Sequence, residues 1–450
     1  MSNKRVLVID DEDKGGNKKM RKKLGVIIVL LLVGVIFLVF LSRRAKEKTI
    51  VANSYSLKGT EIEAVGEAVS AINGKLVDPD YVLLFSTAGY DSEKVLQEVN
   101  RLLPNTKIYG GTSMWGVFSD KGLHKGVKGS LSIMAVSSPK ITFGVGGANI
   151  DDYDSPVEAG KAAIQNAIKN AGKEGEYPQL VLITGSAGNE EFLLEGIEEV
   201  IGWGIPVIGG SSGDNDLTGK WRQFANDKVY SNGVSLTAIF TDLIISYNYE
   251  AGYNSEEEKG VITKAEGRVI YEIDNKPAAE VYNAWCKGCV AEKLKTGGTI
   301  LSETSFWPLA KIIETDTGVY PLSIHPLSIS AEDKSMSIFA KIVEGDTVLL
   351  MHGDWQLLLD RSKIVPQKAM SSNDDAVLGE PVFAIFTHCA GTMLAIPEEE
   401  RLKIPSLVSE SLGEDVPFIG TFTFGEQGPL GLVNHHGNLI SSIIVFSEKG

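Results

Sequence analysis

Hydrophobic and polar positions along this chain repeat one pattern three times. Tyr81–Gly89 reads YVLLFSTAG, Leu180–Gly188 reads LVLITGSAG, and Phe383–Gly391 reads FAIFTHCAG. Each is an apolar run ending in Ala-Gly. A stretch with helical spacing follows, then a second short apolar run ending at glycine. Those second runs are KIYGGTS at Lys107–Ser113, PVIGGSSGD at Pro206–Asp214 and PFIGTFTFGE at Pro417–Glu426. Short apolar runs bounded by small residues are strands, so each copy predicts a βαβ unit. Open α/β sheets bind ligands beyond the carboxyl ends of their strands, which directs attention to these turns.

Elsewhere, Thr60–Lys75, Ser92–Leu103 and Pro156–Ala171 carry apolar residues at helical spacing. Gly129–Ser137 and Ile141–Gly147 read as a β-hairpin around a proline turn. Asn226–Phe240 reads as a second hairpin, because it holds Asn232-Gly233 between apolar runs. The acidic stretch Gly252–Lys259 (GYNSEEEK) marks the expected boundary between two halves. Beyond it the pattern predicts strands over Val261–Ile273, a helix over Pro277–Trp285, a β-rich middle to Leu359 and a closing strand at Leu439–Phe446. The expected fold class is α/β, in two parts (residues 60–251 and 252–447), built of βαβ-like repeats with added antiparallel strands.

Leu24–Leu41 is an unbroken run of eighteen apolar residues. As a helix it is roughly 27 Å long, close to the thickness of a bilayer's hydrocarbon core. It has no polar face, and Ser42-Arg43-Arg44 follows in place of a small-residue cleavage site, so it predicts an uncleaved single transmembrane helix. The expected layout is a basic tail over 1–23, the membrane helix over 24–41 and a polar linker over 42–59. Six basic residues lie within fifteen positions before the run and four after it. That bias predicts a cytoplasmic N-terminus and an extracytoplasmic main body. Lys4–Asp13 (KRVLVIDDED) opens like a receiver domain, but the membrane run arrives too soon for one, and Met20 is an alternative start. No phosphoryl chemistry is assigned to the acidic pair.

At 450 residues the chain is long enough for two or three folding units, and its net charge of −15 argues against nucleic acid as a partner. Three cysteines are too few for a disulfide framework. None of the turns carries G-x-G-x-x-G or G-K-[ST], so dinucleotide and P-loop chemistry lack support.

The motifs F-S-x-x-x-Y-D (Phe85–Asp91), G-G-T-S (Gly110–Ser113), I-G-G-S-S-G-D (Ile208–Asp214), EIDNKPAAEVY (Glu272–Tyr282), C-A-G (Cys389–Gly391) and G-T-F-T-F-G-E (Gly420–Glu426) occur in an order and spacing that resemble the FIST family. The E-G-D at Glu344 and Asn434 add to that likeness. The resemblance covers nearly everything from Thr60 to Phe446 and implies an N-terminal FIST half followed by a FIST C half. It implies a non-enzymatic sensor of small ligands, amino acids among them, whose output passes to a separate signalling partner. Some members look like haem proteins that sense nitric oxide, which gives haem as an alternative cofactor. An arginine often follows the C-A-G in the family; here the residue is Thr392.

Thr112, Ser113, Ser211, Ser212, Asp214 and Asn215 follow predicted strand ends. Hydroxyl, amide and carboxylate groups beside glycines suit the amine and carboxylate of a small polar ligand, and equally suit helix caps and turns. Glu426 and Asn434 close the third unit, where a carboxylate suits either a ligand ammonium or backbone N–H groups. Cys389 joins this set as a ligand contact. As a nucleophile it lacks a base, because adjacent His388 points to the opposite face of a strand, so a small buried thiol is the better reading. Cys286 and Cys289 sit at the end of a predicted helix, whereas a redox C-x-x-C opens one; a local disulfide suits them better. The six histidines show no zinc-binding spacing.

Overall fold

The computed structural model describes residues 48–371 and 378–450. The predicted membrane run 24–41, the basic tail and the alternative start lie outside the described residues. Among the described residues no helix is long and apolar enough to cross a membrane.

All three predicted βαβ units are present, each with its two strands parallel. Tyr81–Thr87 pairs with Lys107–Ser113 across the helix Ser92–Leu102. Leu180–Gly185 pairs with Val207–Gly210 across Glu190–Ile201. Leu378–Cys389 pairs with Phe418–Thr423, and the longer spacing of this copy holds three short helices, ending with Ile404–Leu412. The repeated glycine of the second strand has a steric reason. A Cβ on Gly110 would lie 1.8 Å from the Leu84 carbonyl oxygen, and one on Gly209 would lie 1.9 Å from that of Ile183. The neighbouring parallel strand already occupies the space a side chain would need.

Each unit heads a six-stranded sheet of the same plan. An edge strand is followed by a helix, the βαβ unit, a hairpin and an antiparallel strand that returns beside the first strand of the unit. In the first copy the edge strand is Ile50–Ser56 and the returning strand Leu131–Ser137; in the second they are Ile141–Asn149 and Gly233–Thr241; in the third, Ile244–Glu250 and Ser441–Lys449. The hairpins are exchanged in a cycle. Gln223–Ala225, from the second copy, extends the first sheet against Lys107–Ser113. Glu426–Leu430, from the third, extends the second sheet against Val207–Gly210. Val117–Ser119, from the first, extends the third sheet against Phe418–Thr423. The inner faces of all three sheets meet in one core that includes Leu83, Leu182 and Ile385, while each outer face is covered by its own helices. A nine-stranded sheet built from residues 254–352 is inserted in the third copy after its edge strand, and has a core of its own around Ile270, Tyr282 and Val348.

Several expectations need correction. Part of the predicted linker 42–59 is the edge strand Ile50–Ser56, in full register with Leu131–Ser137 and with Val51 and Ala52 buried. The first expected hairpin does not exist: Leu131–Ser137 and Ile141–Asn149 belong to different sheets. The Asp80 carboxylate accepts from Ser137 Oγ and the Ser138 amide, which closes the first sheet there. Gly144 and Gly146 then lie against the helix Pro156–Ala171, so close that a Cβ would meet its backbone at 2.1–2.3 Å. The second hairpin turns at Asn226-Asp227, where Ala225 faces Lys228; Asn226 takes φ +55°. Asn232-Gly233 is instead the crossing into the second sheet. The acidic stretch 252–259 enters the long strand Asn254–Glu266, whose first residues pair with His352 and Met351. Glutamates on an exposed strand face read as a linker in sequence.

Candidate functional site

A cavity of about 860 Å³ opens where the carboxyl ends of the second and third units meet the inserted sheet. Two of the three Ala-Gly turns line it: Ala187-Gly188 and Cys389-Ala390-Gly391. The first, Ala88-Gly89, does not, because Gly89 lies against the Lys128 carbonyl. Thr423, Phe424 and Gly425 add the end of the third unit's second strand. The segment that carries the inserted sheet contributes Arg268, Leu301, Phe306, His325, Leu327 and Phe339, mostly from its turns.

Its charged corner is built by the second unit. Glu190, buried, opens the helix Glu190–Ile201 after the Ala-Gly turn. Its carboxylate accepts from the Gly188 amide (2.9 Å), Ser211 Oγ (2.9 Å) and Arg268 Nη2 (2.7 Å), with His436 Nε2 at 3.9 Å. Arg268 Nη2 also donates to Glu191 at 2.5 Å, and Glu191 accepts the Lys341 amide. Burial pushes the Glu190 carboxyl pKa up, but His436, Arg268 and the helix's first amide outweigh it and the net direction is down. Arg268 is correspondingly held above its ordinary value by the two glutamates, against the effect of burial.

Behind the wall formed by Thr423 and Gly425 lies Glu426. Its carboxylate accepts from Thr423 Oγ1 at 2.6 Å, from the Gly425 amide at 3.2 Å and from the Ile440 amide at 3.0 Å. Burial raises its pKa to about 8 despite these donors. The Cys389 thiol beside it is pushed far up, by burial and then by Glu426. A thiol held protonated in this way is the opposite of an activated nucleophile. His325 is buried in the wall, where loss of water lowers its pKa to about 4. Its backbone amide donates to Asn438 Oδ1 at 3.2 Å.

Of the nine candidate residues, Cys389 alone is among those lining this cavity. Ser211 stands one step behind it, holding Glu190. Asp214 is buried and its carboxylate accepts the amides of Asp216, Leu217, Thr218 and Lys220, folding the loop that carries Leu217 and Trp221 to the rim. Thr112 Oγ1 accepts the Arg222 amide, Ser113 Oγ bridges Phe422 and Gly116, Ser212 Oγ meets Thr184, and Asn215 Oδ1 accepts the Trp115 amide. Asn434 ties Val207 and Ile205 to Glu198. Each of these side chains makes the turn or tie open to its residue type. Sequence reading passes over Glu190, Arg268 and His325. The acidic pair at a helix start is a legible signal for Glu190; nothing local distinguishes Arg268 or His325.

Cys286 and Cys289 are joined in a disulfide just past the helix Ala278–Trp285. Among the described residues no cluster of His, Cys, Asp and Glu is arranged to hold a metal ion. The cavity does not suit haem: its imidazole His325 is present, but its arginine is committed to two glutamates and offers no free cation for the propionates.

Residues 80–276 match the FIST N domain and residues 278–429 the FIST C domain. The chain therefore belongs to the FIST family, whose domains are small-ligand sensory modules. It is 25% identical over 264 residues to an uncharacterized protein of Methanocaldococcus jannaschii. The match covers 54% of this chain and 49% of that protein, so it spans about half the length of the curated relative. Among solved structures it is similar to the cyanuric acid hydrolase from A. caulinodans, at TM-score 0.36 and 9% identity, over 88% of this chain and 99% of that one. It is also similar to T. maritima PurL complexed with ATP, at TM-score 0.22 and 9% identity, over 89% and 72%. Neither likeness bears on activity.

Proposed function

We propose that this protein is a membrane-tethered sensor that holds a small molecule in the 860 Å³ cavity and passes the signal to a partner protein. The observation that carries this reading is the origin of the walls. Glu190 and Arg268 come from the FIST N region, and His325 and Cys389 from the FIST C region. A ligand touching both changes how they pack, and such differential contact is what shifts a conformational equilibrium. Mass spectrometry of the purified full-length chain tests this. A small molecule is expected to co-purify with the wild type and to be absent from Leu327→Trp, which fills the cavity. Equal recovery from both proteins would count against the reading.

The apolar run 24–41 supports the tether, with the N-terminus cytoplasmic and the FIST module on the far side. Fractionation of cells expressing the full-length chain is expected to find it in membranes resistant to carbonate extraction. Recovery in the carbonate supernatant would remove the anchor.

A further inference from the structure

Three separate elements bring hydrogen-bond donors without partners to the cavity wall. Arg268 stands in the turn between the strands Asn254–Glu266 and Val269–Ile273, and commits its Nη2 to Glu190 and Glu191. Trp221 lies at the end of the loop that Asp214 folds, with its ring at right angles to that of Phe424 and the centroids 6.1 Å apart. Asn438 follows the strand Val433–Gly437 and is 3% exposed. Its Oδ1 accepts the His325 amide, which fixes the orientation of the side-chain amide and leaves Nδ2 as a donor. Nδ2 lies 3.0 Å from the place a Cβ on Gly425 would take, and Gly425 is itself part of the wall. Among the described residues, Arg268 Nε and Nη1, Trp221 Nε1 and Asn438 Nδ2 have no hydrogen-bond partner, and none of these atoms is sealed from solvent. His325 Nε2 is also unpartnered, but it is sealed inside the wall and takes no part. The hydroxyls of Ser302, Ser305 and Thr423 add no donor, because they donate to Glu303, the Leu301 carbonyl and Glu426.

Resting on the reading of this cavity as the ligand site, we infer that it takes an uncharged aromatic ring compound whose edge carries two or more acceptor atoms, carbonyl oxygens or ring nitrogens. Asn438 Nδ2, Trp221 Nε1 and the free N–H groups of Arg268 donate to that edge, and Phe306, Phe339 and Phe424 receive the ring. A few donors converging in a largely apolar chamber are what orients a small ligand. A ring without acceptors would cover these donors and replace none of their bonds to water. Arg268 supplies N–H groups but little net charge, since two carboxylates already face its one guanidinium. An anionic ligand would be a third negative group around that cation, in a site poor in water. An ammonium would meet the guanidinium and two further donors.

Calorimetry on the full-length chain with four fused-ring probes tests this. Quinoxaline and naphthalene share one shape, and quinoxaline alone carries acceptors; 1-naphthoate and 1-naphthylmethylammonium carry the ring with an anion and a cation. Quinoxaline is expected to bind, and both charged probes to bind more weakly. Two conservative variants then read the donors. Trp221→Phe keeps the ring and removes the N–H, and is expected to weaken quinoxaline by about three- to tenfold, the usual effect of one lost hydrogen bond. Asn438→Asp keeps the oxygen that holds the His325 amide and turns the donor into a carboxylate, and is expected to weaken quinoxaline more than tenfold. Naphthalene is expected to bind both variants as it binds the wild type, which separates a lost donor from a damaged fold. Quinoxaline binding unchanged in both variants overturns the inference. Naphthoate or the ammonium binding more tightly than quinoxaline, and blocked by Leu327→Trp, overturns the ligand class and leaves the cavity as the site. No binding by any of the four overturns the inference, and the co-purification from Leu327→Trp then decides whether the cavity falls with it.

Discussion

Replacing Arg268 with methionine is expected to lower the stability of the folded chain by about 3–5 kcal/mol, the usual cost of removing one partner from a buried ion pair. The geometry sets this case apart from the surface pairs elsewhere, such as Lys94 with Asp91, which contribute little. The Glu190 side chain is 3% exposed and that of Arg268 24%, and their contact is 2.7 Å. Without the guanidinium, Glu190 keeps its amide and Ser211 donors but loses its nearest cation. Glu190→Gln removes the charge and retains an acceptor for Ser211. The double variant Arg268→Met/Glu190→Gln is therefore expected to lose clearly less than the sum of the two single losses. Urea unfolding of all four proteins gives the cycle. An Arg268→Met loss below about 1 kcal/mol, or an additive cycle, would mean that water already screens the pair. The sign of the pH effect follows from the lowered Glu190 pKa. This contribution is present above the ordinary carboxylate range and fades as pH falls through the folded value.

Thermal stability is expected to peak near pH 6.5 and to fall on both sides. On the acid side the cause is buried neutral imidazoles. Burial lowers His325 to about 4 and His388 to about 3. Unfolded, both take up a proton near pH 6.5; folded, they refuse it until far lower. The unfolded state thus binds more protons between pH 6.5 and about 4, and stability falls as pH falls. Glu426 acts in the opposite sense. Its folded pKa of about 8 lies above the unfolded value near 4.5, so the native state binds the extra proton between those limits. Stability therefore falls as pH rises through that window. From pH 4.5 to 6.5 these two histidines, with His124 and His435 also lowered to about 4 by burial, outweigh one glutamate; above 6.5 Glu426 acts alone. A group bound by one extra proton in one state changes stability by about 1.4 kcal/mol for every pH step of one, which makes both limbs measurable. Melting curves from pH 4 to 9 show the dome, and Glu426→Gln is expected to flatten its alkaline side. A variant that keeps the wild-type decline between pH 6.5 and 8 would show that Glu426 is already ionised there.

The same residues show what a linear reading reaches. Glu426 is legible because it ends an apolar run at a small-residue turn, a local signal. His388 is set aside as a base because strand neighbours alternate, and its Nδ1 does meet Ser441 across the sheet at 2.7 Å. Arg268 sits in a Glu-Gly-Arg turn with no helix or apolar period to mark it. Its meaning lies in a partner 78 positions away. Asp214, which in sequence suits a ligand, commits its charge to four amides of its own loop.

By itself the sequence determined the three βαβ units, their parallel strands and the family, but it read the start of the helix Trp355–Ser371 as the end of a β-rich stretch. Those depend on periodicity and on small residues at strand ends, and both are local. The tertiary structure alone decided which sheet each hairpin joins, where the inserted sheet sits and which turns face the cavity. A hairpin's exposed edge pairs wherever packing brings a matching edge, so Val117–Ser119 completes a sheet some 300 residues away. Charge pairing between distant positions, as with Glu190 and Arg268, follows from the packing and not from spacing along the chain.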